Sequence, residues 1–283
     1  MTRFRWRKSQ KQVKLSVSTG TLYIYPLRAV FRWARQAGFD GLEVVVNPQV
    51  IARGGEGVRR LAAAEGLPIF SVHPTVVPLP GWRERHGGAA PTIRLACEAG
   101  APVVVMHTPR AASLDAGEGL AFRRRIETWG AWLAGTGTRL AVENKAVRRA
   151  TDLDYALTPL DRLRAFADQY DVDLVLDTAH AGSAGDDLLA ARRVFGSRLA
   201  NVHLSDLGPV LPLAPPRLAG AVADHLFPGA GSLPLAGLMA DLAHGGYEGP
   251  VTLELNPLAL HFWWPPAIRR HLARAARWMR SAS

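Results

Sequence analysis

Side chains of the types that bind metal ions recur along this chain, most of them directly after a short apolar run. The runs read IFSVH, VVVMH, LAVE, LVLD, NVHL and VTLE, and over most of the series they follow one another at intervals of 26 to 36 residues. Because the carboxyl ends of parallel strands converge in a barrel, such residues would share one polar site. The eight residues are His73, His107, Glu143, Asp177, His180, His203, His225 and Glu254.

A mixture of histidines and carboxylates in one place favours a divalent cation. Taken singly, each residue has an ordinary structural explanation, such as a capping carboxylate or a hydrogen-bonded histidine. Six of them at strand ends favour a site, because crowded carboxylates raise one another's pKa and a cation relieves that repulsion. Nitrogen and oxygen ligands together suit Zn²⁺, Mn²⁺ or Co²⁺, with Mg²⁺ as a further candidate. We expect one bound ion, although the residues would suffice for up to three.

The segments that must position these side chains alternate between strand-like and helical patterns. Apolar segments predict strands at 13–18, 41–46, 68–73, 101–107, 138–143, 172–177, 198–204 and 249–255. Helical patterns follow them at 26–37, 55–65, 90–99, 118–134, from Thr158-Pro159 onward, and at 186–195, 233–244 and 266–280. Eight such units predict an α/β protein with a single (β/α)8 TIM barrel over residues 13–283. An open doubly wound sheet is the alternative, but no glycine-rich phosphate motif follows the first strand.

Positive charge is concentrated at the two ends of the chain. The formal net charge is +10, and residues 1–14 hold six Lys or Arg while residues 265–283 hold five Arg, with no acidic residue in either segment. The rest of the chain has 23 basic and 24 acidic residues. We therefore expect a flexible basic tail over residues 1–12 and a nearly neutral barrel. Solvated ends are favoured over an electrostatic contact with nucleic acid or an anionic surface.

Several segments resemble the xylose-isomerase-like TIM-barrel superfamily. They are GFDGLEVVV (38–46), APVVVMHTP (101–109), VLDTAHAG (175–182), NVHLSD (201–206), DHLFPGAG (224–231) and GYEGPVTLELNP (246–257). The two main branches of that superfamily are the sugar phosphate isomerases and epimerases and the apurinic endonucleases of the endonuclease IV type. The resemblance covers the chain from about residue 13 onward.

The resemblance to the isomerase and epimerase branch implies a single metal ion bound by Glu143, Asp177, His203 and Glu254. It also places His180 on a substrate hydroxyl or on a further metal. A metal that bridges the carbonyl and hydroxyl oxygens of a small sugar, polyol or hydroxy-keto compound acidifies the carbon-bound proton between them. Because Glu143 and Glu254 end well-separated strands, we expect them to be the acid and base that move this proton.

The endonuclease branch implies a different use of the same residues. Its three-zinc cluster, which hydrolyses phosphodiesters, would also engage His73, His107, His180 and His225. The aspartate that this pattern places two residues before the last histidine is Ala223 here, a departure that weakens the case for a third metal. The basic ends are expected at the bottom of the barrel, opposite its active mouth, so a sugar-like substrate is favoured over nucleic acid. A barrel that binds metal and ligand without turnover is the third interpretation.

Three further residues are candidate substrate contacts. Glu43, assigned to the end of the second strand, is expected either to contact substrate or a metal ligand or to be a buried salt-bridge partner. Lys145 is expected to contact a substrate oxygen or phosphate, or else to be a solvated loop lysine. Trp82 is expected to stack on a sugar or a base.

Cysteine content and hydropathy indicate where the protein works. A lone cysteine, Cys97, fits a reducing cytoplasm. The basic N-terminus has no apolar signal-peptide core, and no apolar run is long enough to predict a transmembrane helix. The exposed-looking pair Trp263-Trp264, after the last strand, would suit closure of the pocket or a subunit contact in an oligomer.

Overall fold

A computed structural model of the protein describes residues 12–75, 88–209 and 223–283. Eight parallel strands form a closed barrel, in which each strand pairs with the next one along the chain and β8 pairs with β1. The predicted single (β/α)8 barrel is therefore confirmed. The strands are β1 Lys14–Ser18, β2 Gly41–Val45, β3 Ile69–His73, β4 Val103–His107, β5 Arg139–Glu143, β6 Asp173–Asp177, β7 Leu199–Leu204 and β8 Pro250–Leu253.

Helices connect the strands and pack around the outside of the barrel. Within the described ranges they are α1 Leu27–Ala37, α2 Pro48–Ala64, α3 Ala89–Ala99, α4 Gly117–Leu133, α5 Leu160–Tyr170, α6 Thr178–Ala184, α7 Leu188–Phe195, α8 Leu235–His244 and α9 Pro265–Ala282. None of the helices in this part of the chain is long and apolar enough to cross a membrane.

Two helices differ from the sequence-based prediction. Helix α2 begins at Pro48 instead of near residue 55, because the side chain of Asn47 accepts the backbone N–H groups of Gln49 and Val50 and caps the first turn. The backbone of Gly54 is not helical, so the predicted helix corresponds to the segment after this kink. The sequence-based prediction also missed α6, a short helix directly after β6.

Two layers of apolar side chains hold the barrel together. Inside it, Val103, Val105, Ala141 and Val175 form a small cluster. A larger core lies between the strands and the helices, and the aromatic rings of Phe122 and Phe166 stack within it. Because both faces of each strand are covered, the strands are almost entirely buried, as expected for a parallel barrel.

The C-terminal helix ends at the amino-terminal end of the barrel, as predicted. Arg280 of α9 donates a hydrogen bond to the carbonyl oxygen of Val13 (2.8 Å), directly before β1. It also pairs with Asp40, which directly precedes β2. The arginines near the end of α9 therefore lie far from the carboxyl ends of the strands. Residues 1–11 of the predicted basic tail lie outside the described residues.

Candidate metal centre

The metal-ligand side chains predicted from the sequence meet at the carboxyl-terminal end of the barrel. Their candidate ligand atoms form three overlapping groups, and within each group these atoms lie within 4.8 Å of one another. The central group is Glu143, Asp177, His203 and Glu254; the first side group is His73, His107 and Glu143; the second side group is Asp177, His180 and His225. All eight residues of the predicted set are thus brought together.

Strand register places these residues at one level. In the pairing of β4 with β5, His107 lies beside Glu143. In the pairing of β6 with β7, Asp177 lies beside His203. Glu254 directly follows β8, and its backbone N–H donates to the carbonyl oxygen of Leu204 at the end of β7. The barrel itself therefore sets the spacing of the central group.

His203 lies in the middle of the central group and is fully buried. Its Nδ1 atom is 3.0 Å from Oε1 of Glu143 and 2.8 Å from Oε2 of Glu254. Burial alone would lower the pKa of His203, but the surrounding glutamates raise it well above its usual value. Burial alone would likewise raise the pKa of Glu143, but the neighbouring histidines, chiefly His203, lower it well below its usual range. Opposite charges thus compensate one another in the central group.

The first side group joins two histidines to Glu143. Nε2 of His107 is 3.0 Å from Oε2 of Glu143, and Nε2 of His73 is 3.7 Å from the same oxygen. The two Nε2 atoms lie 3.2 Å apart, while Nδ1 of His73 lies 2.8 Å from the carbonyl oxygen of Pro74. A carbonyl can only accept, so Nδ1 of His73 carries a proton, while its Nε2 faces His107 and Glu143 and is the candidate ligand atom for a cation.

The second side group joins two histidines to Asp177. The ring centroids of His180 and His225 are 5.3 Å apart, and Nδ1 of His225 is 3.8 Å from Oδ2 of Asp177. Nδ1 of His180 donates to the carbonyl oxygen of Asn144 (3.0 Å), which leaves its Nε2 free. Burial is the main reason why the pKa of Asp177 is raised above its usual value.

The position that would carry a second carboxylate for this group is Ala223, which is buried. The neighbouring Asp224 pairs with Arg148 at 3.0 Å and does not join the group. The second side group therefore offers one carboxylate and two histidines. Like the first side group, it has a weaker charge complement for a cation than the central group, which has three carboxylates.

The carboxylate of Asp206 connects the segment directly after β7 to the segment that follows His225. It accepts the backbone N–H groups of Leu207, Gly229 and Leu233 at 2.9, 2.9 and 3.0 Å. The backbone of His225 is left-handed (φ 52°), and its carbonyl oxygen accepts the N–H of Asn256. Sequence reasoning missed Asp206, although the acid stands three residues after the strand-end His203 in NVHLSD.

The donor set fits a divalent cation. Oε2 of Glu143 and Oδ2 of Asp177 are buried, and neither accepts a well-aligned hydrogen bond from the described residues. An unsatisfied buried polar atom costs about 1–3 kcal/mol, and a charged one costs more. Each of these carboxylates is shared between the central group and a side group. A cation among these nitrogen and oxygen atoms would satisfy both oxygens.

The three additional candidate contacts have different positions. Glu43 lies in the middle of β2, so its assignment to the strand end is wrong; β2 continues to Val45. Glu43 is fully buried, and its Oε2 atom lies 2.9 Å from Nε2 of His203, a member of the central group. Nζ of Lys145 donates to the carbonyl oxygen of Thr108 (2.8 Å), and burial is the first reason why its pKa is lowered. Trp82 lies outside the described residues.

Comparison with protein families and curated proteins identifies relatives that cover most of the chain. The model of a family described as xylose isomerase-like TIM barrel matches residues 31–282. An uncharacterized protein of Mycobacterium tuberculosis is 30% identical over an alignment 267 residues long, and the alignment covers 86% of this chain and 89% of that protein. A 3-dehydroshikimate dehydratase of Pseudomonas aeruginosa is 31% identical over an alignment 225 residues long, and the alignment covers 77% of this chain and 34% of that protein.

Solved structures share the fold at low sequence identity. The 3-keto-D-glucoside 4-epimerase YcjR of E. coli superposes with a TM-score of 0.65 at 20% identity, covering 95% of this chain and all of that one. A family 2 AP endonuclease of Brucella melitensis superposes with a TM-score of 0.64 at 18% identity, covering 87% and 93% of the two chains. Proteins named as an epimerase and as an AP endonuclease thus share the fold of this chain.

Proposed function

The chain belongs to the xylose isomerase-like TIM-barrel family, and from that premise we propose that it is a divalent-metal-dependent isomerase or epimerase. Its substrate would be a small sugar, polyol or hydroxy-keto compound. The reaction would be the transfer of a carbon-bound proton next to a carbonyl group. The central group, Glu143, Asp177, His203 and Glu254, would hold the metal ion.

The observation that carries this proposal is the approach of two carboxylates to one histidine nitrogen. Glu143 from β5 and Glu254 from the end of β8 both lie within 3.0 Å of Nδ1 of His203. Their exposure differs: the Glu143 side chain is 2% exposed and that of Glu254 is 19% exposed. One carboxylate is therefore held inside the site, while the other is accessible to a molecule that enters the mouth.

The difference in exposure suggests separate roles for Glu143 and Glu254 in proton transfer. When bound, the cation would polarise the carbonyl and hydroxyl oxygens of the substrate and so acidify the proton between them. Glu254, at the accessible edge, would take that proton, and Glu143 would return it from inside the site or hold the charge that develops there. Nε2 of His180, free because Nδ1 donates to Asn144, would bind a substrate hydroxyl.

The names of two similar proteins support proton transfer next to a carbonyl group. One relative is named a dehydratase of 3-dehydroshikimate, and a structural neighbour is named an epimerase of a 3-keto-glucoside. Removal of a proton beside a carbonyl is the first step open to both kinds of enzyme. These names belong to those proteins, and the substrate of this chain is part of the proposal.

Solvent deuterium exchange tests this function. The Mn²⁺-loaded protein would be incubated in D₂O with 3-dehydroshikimate, hydroxypyruvate and a panel of ketohexoses, and proton NMR would follow the C–H signals next to each carbonyl. We expect one compound to lose such a signal faster with wild-type protein than with Glu254→Gln. Equal rates for both proteins across the panel would contradict proton transfer by Glu254.

Phosphodiester hydrolysis is the second candidate function, because of the three overlapping groups. They offer ligand sets for up to three ions, the arrangement that the endonuclease interpretation requires. Two observations weigh against it. The arginines near the end of α9 lie at the opposite end of the barrel from the mouth, and the second side group lacks a second carboxylate. Cleavage of an abasic DNA duplex that is lost in Glu254→Gln would favour this candidate instead.

A further inference from the structure

Glu43 is a buried carboxylate that the proposed proton transfer does not use. It projects from the middle of β2 into the barrel and is 0% exposed, so no substrate reaches it. Its Oε2 atom lies 2.9 Å from Nε2 of His203, on a strand on the other side of the barrel. It also accepts hydrogen bonds from Ser71 (2.8 Å) and from the amide of Asn201 (3.2 Å).

The two nitrogens of His203 therefore face different partners. Nδ1 faces Glu143 and Glu254 in the central group, whereas Nε2 faces Glu43 below it. Carboxylates accept hydrogen bonds, so without a cation each ring nitrogen of His203 can carry a proton. A cation bound in the central group would replace the proton on Nδ1, whereas Glu43, which is not a member of that group, would keep the proton on Nε2.

We propose that Glu43 is a positioning residue that makes Nδ1 of His203 the metal-binding nitrogen. It would fix both the proton on Nε2 and the orientation of the ring. This inference rests on the proposed function only in requiring that the central group bind a divalent cation. Hydrogen bonds from carboxylates to metal-bound histidines commonly raise metal affinity about 10–100-fold.

A chain of hydrogen bonds behind Glu43 holds its carboxylate in place. The hydroxyl of Thr252 donates to the side-chain oxygen of Asn201 (2.9 Å), which fixes the orientation of that amide. The amide nitrogen of Asn201 then faces both Glu43 (3.2 Å) and Ser71 (3.3 Å). All four side chains are buried, so the position of Oε2 is determined by residues from four different strands.

Metal affinity of matched variants tests the role of Glu43. Glu43→Gln keeps the shape and an acceptor oxygen but removes the charge. Ser16→Ala is the control, because it removes a buried hydroxyl of β1 that has no hydrogen-bond partner among the described residues. Competition with a chromogenic chelator would measure the Kd of Zn²⁺ for each folded protein. We expect Glu43→Gln to bind Zn²⁺ about 10-fold or more weakly than wild type, and Ser16→Ala to stay close to wild type. Equal weakening in both variants would show a merely structural role and overturn the proposal.

A second measurement on the wild-type protein does not depend on the folding of any variant. In ¹⁵N-histidine-labelled, Zn²⁺-loaded protein, long-range proton–nitrogen NMR identifies which ring nitrogen carries the proton. We expect the proton of His203 on Nε2 and the metal on Nδ1; the reverse pattern would overturn the inference. A wild-type protein that binds no divalent cation would contradict the proposed function itself, whereas tight binding unchanged in Glu43→Gln would contradict only the role of Glu43.

Discussion

The Nε2 atom of His107 lies 3.0 Å from Oε2 of Glu143, so a histidine with a 43% exposed side chain faces a buried carboxylate of the central group. His107 is not itself a member of the central group. Glu143 thus belongs to both the central group and the first side group. If His107 binds substrate, the single-metal isomerase or epimerase interpretation is favoured. If His107 binds a second metal ion, phosphodiester hydrolysis is favoured.

The first prediction concerns the metal content of variants in the central group and in the first side group. We expect wild-type protein to retain one tightly bound ion per chain after gel filtration. His107→Asn should retain that ion, because His107 belongs only to the first side group, and Asp177→Asn should lose it. Elemental analysis by mass spectrometry measures all three proteins. His244→Asn, an exposed histidine at the end of α8, is the matched control. Three ions in wild type would contradict a single-metal site, and complete loss in His107→Asn would contradict binding of the ion by the central group.

The second prediction concerns the accessible carboxylate of the proposed acid and base pair. Glu254→Gln should reduce the rate of proton exchange about 10²–10⁴-fold, the usual contribution of a positioned acid or base. Its circular dichroism spectrum should match that of wild type. Glu127→Gln, on the exposed face of α4, controls for the loss of a glutamate and should exchange at the wild-type rate. A Glu254→Gln protein with full activity would rule out Glu254 as the proton carrier.

The third prediction concerns stability at low pH. The carboxylate of Asp152 accepts the backbone N–H groups of Arg148 (2.9 Å) and Arg149 (3.1 Å), and these bonds, that of Arg148 first, lower its pKa below the usual value. A lowered pKa in the folded state contributes stability above the ordinary aspartate pKa of about 3.9, and this contribution is lost as pH falls through the folded-state pKa.

Asp152→Asn should therefore be less stable than wild type at pH 7, by about 1 kcal/mol, and the difference should shrink as the pH falls below about 4. Urea unfolding at a series of pH values measures it. Asp154→Asn, exposed in the same turn, is the control and should follow wild type throughout. A constant difference between pH 7 and pH 3 would show that the charge of Asp152 does not contribute.

The fourth prediction tests the close packing of α2 against α3. A Cβ atom on Gly55 would lie 2.6 Å from the carbonyl oxygen of Leu95 and 2.4 Å from Cβ of Glu98. Gly55→Ala should therefore destabilise the protein by about 1–3 kcal/mol. Gly130→Ala, on the exposed face of α4 with open space around its Cβ, should stabilise it by about 0.5–1 kcal/mol. Thermal unfolding of both variants measures this contrast, and equal effects would contradict the packing.

The sequence alone was enough to predict the barrel and the meeting of the candidate ligand side chains at its carboxyl-terminal end. Strand-end residues such as His107 and Asp177 are recognisable because each follows a continuous apolar run, and parallel closure brings the ends of such runs together. Local capping was harder to predict. Asn47 and Asp177 start helices α2 and α6 through hydrogen bonds to the next turn, and no hydrophobic periodicity accompanies the short α6.

Contacts across the inside of the barrel could not be predicted from one sequence. Glu43 and His203 are 160 residues apart in the chain, and their contact depends on the register of every strand between them. A one-residue change of register would turn either side chain to the outside. Asp206 was missed for a similar reason, because two of its backbone partners, Gly229 and Leu233, lie 23 and 27 residues further along the chain.

Anomalous diffraction from crystals soaked with Mn²⁺ tests the central claim most directly, because it locates the ion without reference to any substrate. We predict one dominant peak bounded by Glu143, Asp177, His203 and Glu254, with Nδ1 of His203 as its nitrogen ligand. Three peaks of similar height, one in each group, would favour phosphodiester hydrolysis. The absence of a peak within the central group would contradict the claim.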